Sequence, residues 1–152
     1  MSVLRAAAAV SLALAFAPGF ANAASKPITW LKAFIESKPA LPGGCKLGRT
    51  EYRPAGRQGP IAISEAFSFE VVKGQGSRPA NVRGPVNADG SSITYENVDM
   101  AGSGWSEQRR LFQLKITLSG NRVTSLSVTY SSEKKKLFGG TKWVAYDSTV
   151  CK

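Results

Sequence analysis

The feature that most constrains the fold is an alternation of apolar and polar residues on both sides of a tight turn. From Arg110 to Leu118, the residues Phe112, Leu114, Ile116 and Leu118 fall on one face. Ser119-Gly120-Asn121 interrupts the run, and from Val123 to Ser131 the residues Leu126, Val128 and Tyr130 again share a face. A period of two puts side chains on one side of a pleated strand, and a glycine turn between two such runs specifies an antiparallel hairpin.

The same pattern, less regular, occupies most of the chain. Lys46–Arg53, Ser92–Met100 and Lys142–Val150 read as strands. Ile61–Lys73 reads as the longest one, with Ile61, Ile63, Phe67, Phe69 and Val71 on one face. Residues 74–91, rich in Gly, Pro, Asn and Arg, read as a long loop. Helical spacing appears in Ser25–Ser37, where Ile28, Leu31 and Ile35 form a stripe widened by Trp30 and Phe34. Ser25 is the expected cap, Pro27 suits a first turn, and Pro39 stops the helix. Strands joined by turns rather than by crossover helices imply an antiparallel arrangement. The expected class is therefore α+β, mainly antiparallel β. One N-terminal helix packs on a curved five-to-seven-stranded sheet or a partly closed barrel.

The first 23 residues have a different grammar. Arg5 precedes an apolar run from Ala6 to Phe16, Pro18-Gly19 breaks it, and Ala21-Asn22-Ala23 supplies small residues at a cleavage position. That order is the secretory one, and the run is too short to span a bilayer. The expectation is a cleavable signal over 1–23 and one secreted or periplasmic domain over 24–152, without a transmembrane anchor. In an oxidising compartment the two cysteines, Cys45 and Cys151, are expected to form a disulfide.

Charge narrows the partners. The whole chain carries 20 basic and 10 acidic residues. Removing Arg5 with the leader leaves a net charge of about +9 by the usual assignments. This excess favours anionic polymers or surfaces. Candidate binding residues are Arg78 and Arg83 in the expected loop, Trp105 with Arg109 and Arg110, and the cluster Lys134, Lys135 and Lys136. Arginine beside an exposed aromatic ring grips a sugar or a phosphate by stacking plus charge. Export and the lack of an aromatic-interleaved nucleic-acid motif place nucleic acid low among the partners. The lysine cluster on its own reads as a solvated hairpin tip.

The chain contains no histidine. That excludes an imidazole general base, a Ser-His-Asp triad and histidine metal ligands. Paired cysteines leave no thiol nucleophile. No cofactor or metal site is implied. Asn87-Ala-Asp89-Gly90 is better read as a hairpin turn than as a calcium loop, because Pro85 occupies the first ligand position. Carboxylate chemistry remains. Strict alternation puts Glu65 on the apolar face between Ile63 and Phe67, where desolvation raises a carboxyl pKa. Glu96 or Asp99, on the next expected strand, would be its partner in a glycosidase-like pair. A bulge at Ser64-Glu65 would instead turn Glu65 to solvent. The leading expectation is an exported, non-enzymatic binding protein for acidic polysaccharide, lipopolysaccharide or a host surface. A secreted effector or inhibitor acting on a host or competitor protein, a histidine-free hydrolase and an apolar carrier remain alternatives.

Overall fold

The computed structural model describes residues 24–102 and 108–152; the signal-like segment and Trp105 lie outside them. Among the described residues eleven strands and one helix follow in order. They are β1 (Ala24–Lys26), α1 (Ile28–Glu36), β2 (Cys45–Arg53), β3 (Gly56–Gln58), β4 (Ile61–Ile63) and β5 (Ala66–Lys73). The chain continues with β6 (Gly76–Val82), β7 (Val86–Ala88), β8 (Ser92–Ala101), β9 (Gln108–Ser119), β10 (Arg122–Lys135) and β11 (Thr141–Cys151). Every pairing is antiparallel. A six-stranded sheet runs β1-β7-β8-β9-β10-β11, a three-stranded sheet runs β2-β5-β6, and β3 pairs with β4. The large sheet ends at β1 and β11 and does not close into a barrel.

The hairpin expected from the alternation is β9–β10. Ser119 pairs with Arg122 across Gly120 and Asn121, and Gly120 has a φ of 62°. That left-handed conformation is the one a two-residue hairpin turn needs at its first central position. Phe112, Leu114, Ile116, Leu126 and Val128 are buried. They belong to one cluster with Phe67, Phe69, Val71, Ala80 and Val82 of the smaller sheet and with Ile28, Leu31 and Ile35 of α1. The apolar stripe read from the sequence is thus the buried side of the helix.

Three expectations are corrected. Ser25 does not cap α1; it lies in β1 opposite Asn87, and Pro27 holds the cap position with extended backbone. Ile61–Lys73 is not one strand. It breaks at Ser64-Glu65, leaving Ile61 in the small β3–β4 pair with 64% of its surface exposed. Residues 74–91 are not a long loop, because β6 and β7 lie within them. Pro79 weakened the strand signal, but β6 is an outer strand, where a missing N–H costs no ladder bond. Ala80 and Val82 of β6 and Val86 and Ala88 of β7 are buried.

Polar and covalent ties close the corner between the sheets. Cys45 of β2 is bonded to Cys151 of β11 across a sequence separation of 106. Arg78 on β6 is ion-paired with Asp147 and donates to Thr149 Oγ1, both on β11. Tyr130 Oη donates to the Pro79 carbonyl at 2.7 Å, and Lys73 Nζ to the Val150 carbonyl at 2.7 Å. Among the described residues no helix is long and apolar enough to cross a membrane.

Candidate functional site

The large sheet outruns its core. On β10 the last buried residues are Ser131 and Ser132, and from Lys134 through Tyr146 every residue is exposed. The end of β10 and the start of β11 therefore form an arm beside the start of β9 and the end of β8. Arg109 and Arg110 lie at the start of β9, and Arg110 pairs in register with Ser132. Ser132 pairs with Val144, Glu133 with Trp143, and Lys134 with Lys142. The structure thus gathers Arg109, Arg110, Lys134, Lys135 and Lys136, five of the expected binding residues, at one end of one sheet. It adds Lys142.

Alternation divides these residues between two faces. Arg110, Ser132, Lys134, Lys142 and Val144 share the face that continues from the core. There the Arg110 guanidinium lies 5.9 Å from the centre of the Tyr146 ring. Arg109, Glu133 and Trp143 share the other face, with Arg109 5.4 Å from the Trp143 ring centre and 3.4 Å from Glu133. Guanidinium over an aromatic face is an attractive, pre-oriented arrangement that leaves donors available at its rim. The direct pairing of Lys134 with Lys142 runs the other way. Like charges facing each other across a ladder destabilise it, and an anion between them removes the penalty.

The same end carries the apolar surface. Among the described residues eight large hydrophobic side chains are exposed, and seven of them lie on β8–β11: Val98, Met100, Leu137, Phe138, Trp143, Val144 and Tyr146. Leu137 and Phe138 are exposed to 91% and 96%. They are the central residues of the turn between β10 and β11, which the Gly139 N–H closes onto the Lys136 carbonyl. Gly139 and Gly140 adopt φ of 96° and 74°, so the return of the chain depends on glycine at both positions. Leu137, Phe138, Trp143 and Tyr146 were not among the residues expected to bind. The sequence signal was present: an apolar pair sits between Lys136 and Gly139-Gly140, where turn-forming polar residues are the norm.

The other expected residues lie elsewhere. Arg78 is committed to Asp147 and Thr149 at the sheet corner. Arg83 follows β6 and lines a polar groove of about 220 Å³ with Glu51, Arg53, Ser68 and Asn81. Trp105 falls outside the described residues. Glu65 stands at the break between β4 and β5, half-buried, and accepts a hydrogen bond from Tyr52 Oη. That bond, helped by desolvation and the carboxylate's charge, raises the Tyr52 pKa. Glu96 is exposed on β8 and accepts from Gln113 Nε2 at 2.8 Å; Asp99 is exposed opposite Arg110. Strand β8 pairs with β7 and β9, not with β5, so neither carboxylate is on a strand beside Glu65. Asp89 caps its own turn, accepting from the Ser91 N–H, the Ser91 hydroxyl and the Ser92 N–H. Among the described residues no three His, Cys, Asp or Glu side chains cluster as metal ligands.

A cleft of about 510 Å³ lies between the end of α1 and the start of β2. Ile35, Leu41 and Leu47 give it an apolar wall, and Glu36, Lys38 and Lys46 line it too. It shares no residue with the arm. Comparison with protein-family models, with curated proteins and with solved structures finds no match to this chain.

Proposed function

We propose that this is an exported, non-enzymatic binding protein that takes up an anionic ligand or surface on the β10–β11 arm. The observation that carries the reading is one coincidence of place. Six exposed basic residues, from three different strand ends and a turn, share one end of the large sheet with seven exposed large apolar side chains, five of them on the arm. Apolar side chains scattered over a surface need no explanation, but a patch collected beyond the core marks an interaction site. The basic residues set the sign of the partner. Phosphate, sulfate and carboxylate groups are the chemistry that the Arg109 and Arg110 forks and the lysines suit.

Heparin retention tests this. Reversing Lys134 and Lys142 to glutamate is expected to move elution to much lower salt. Reversing Arg53 and Arg83, on the separate groove, is expected to change it less. Equal losses from the two sets would show that retention follows net charge rather than the arm, and would overturn the assignment.

A further inference from the structure

Resting on that reading, we infer that the arm's partner is an anionic lipid bilayer, with Leu137 and Phe138 entering the interfacial zone while the surrounding lysines hold the headgroups. The fold gives these two side chains no work. They project from the apex of a turn with almost their whole surface in water. A soluble anion would need the charges alone and would gain nothing from a leucine and a phenylalanine at the tip. A protein groove could take the apolar pair, but it would not call for basic residues on both flanks and both faces of the hairpin.

The arrangement is ordered along the arm as a bilayer is ordered in depth. Leu137 and Phe138 lie at the apex. Lys135 and Lys136 precede them, and Lys134 and Lys142 face each other one step back. Trp143, Val144 and Tyr146 follow, nearer the core, with Arg109 and Arg110 over the two rings. Aromatic rings with one polar edge suit the headgroup level, and lysine stems cover apolar surface while their ammonium groups reach outward. A short apolar insertion alone gives marginal, reversible attachment. A polybasic flank supplies the second signal that makes it stable on an anionic surface. The unfavourable facing of Lys134 and Lys142 is relieved when a headgroup phosphate lies between them.

Flotation with vesicles of phosphatidylcholine, with and without phosphatidylglycerol, separates the possibilities. The chain without residues 1–23 is expected to float with phosphatidylglycerol vesicles and to be released by high salt. Leu137→Ser with Phe138→Ser is expected to weaken that binding on the order of 100-fold, the consequence of two large side chains no longer leaving water. Heparin retention of the same variant is expected to fall far less than its vesicle binding, because retention draws on the basic residues. Because neither side chain packs on the fold, the variant keeps its thermal midpoint, which checks that it is folded. A tryptophan probe, Phe138→Trp, is expected to shift its emission to the blue and to be quenched by lipid-borne nitroxide. If the double serine variant floats as well as the parent, the tip does not enter lipid and the inference fails. It fails equally if the chain binds heparin but no vesicle, or if the apolar pair instead drives capture of a protein or self-association; in those cases the reading of a basic binding arm survives. Loss of both heparin and vesicle binding by the parent would remove the reading itself.

Discussion

Replacing Cys45 and Cys151 together by alanine cuts the covalent tie between the first strand of the small sheet and the last strand of the large one. The closed loop spans a sequence separation of 106. In the chain-entropy relation, opening a loop of that length returns about 16 cal/mol/K to the unfolded chain, or about 4.8 kcal/mol at room temperature. Whole domains are stable by only about 5–15 kcal/mol, so the loss is a third or more of the total. With an unfolding entropy of about 2.1 cal/mol/K per residue, the thermal midpoint of a domain this size falls by roughly 15–20 °C. The assay is urea unfolding followed by far-UV circular dichroism on the oxidised parent and the double alanine variant. The variant should unfold at lower urea and with a steeper dependence, because its unfolded chain exposes more surface once the cross-link is gone. A loss below about 1 kcal/mol with an unchanged slope would refute the reasoning. It would mean that the unfolded chain already keeps these ends together without the bond.

Two further predictions concern pH. The Asp89 carboxyl is held below its usual range, first by the Ser91 N–H and then by the Ser91 hydroxyl and the Ser92 N–H. Its contribution is therefore present above the unfolded value of about 3.9 and disappears as pH falls through the lower folded value. Asp89→Asn should flatten the acid limb of the stability curve, and parallel curves for parent and variant would contradict this. Burial, then the neighbouring Tyr146, raises the Tyr130 phenol, with Arg78 opposing. Its contribution is full below the unfolded value of about 10 and is lost as pH rises through the folded one. Tyr130→Phe should cost about 1 kcal/mol at neutral pH through the lost bond to Pro79, and should shallow the alkaline limb of urea midpoints. An unchanged neutral midpoint would count against that bond.

The parts of the fold legible in the sequence are those where one face is buried and the other wet. The β9–β10 hairpin announces itself through Phe112, Leu114, Ile116, Leu126 and Val128 around Gly120, because burial demands period two there. The α1 stripe is legible for the same reason at period 3.6. Strand β6 is hidden because its residues include Pro79 and Gly76, and its strand state comes from pairing with β5 rather than from local preference. The apolar-face placement of Glu65 carried alternation through a break; the chain leaves the ladder at Ser64-Glu65, where the sequence also allowed an irregularity, and periodicity says nothing across such a point. The cysteine pair was readable from its even number together with the expected export.

The candidate site was half legible. Arg109, Arg110 and Lys134–Lys136 stand out as charge, but their meeting at one sheet end follows from the register of β9 and β10, which a single sequence does not display. Arg78 looked identical in kind and serves the sheet corner instead, because Asp147 comes opposite it in space. The apolar pair Leu137-Phe138 was visible as residues and acquired meaning once the hairpin placed it at an apex with nothing to pack against.

The central claim is that binding is localised on the arm. Backbone amide shift mapping of the isotopically labelled protein, titrated with a short heparin oligosaccharide, tests it most directly. The account predicts that the largest changes fall on Gln108–Leu111 and on Ser132–Tyr146, with the Arg53–Arg83 groove and the cleft beside α1 unmoved. Changes centred on Arg53, Ser68, Asn81 and Arg83, or spread evenly over every basic residue, would contradict it.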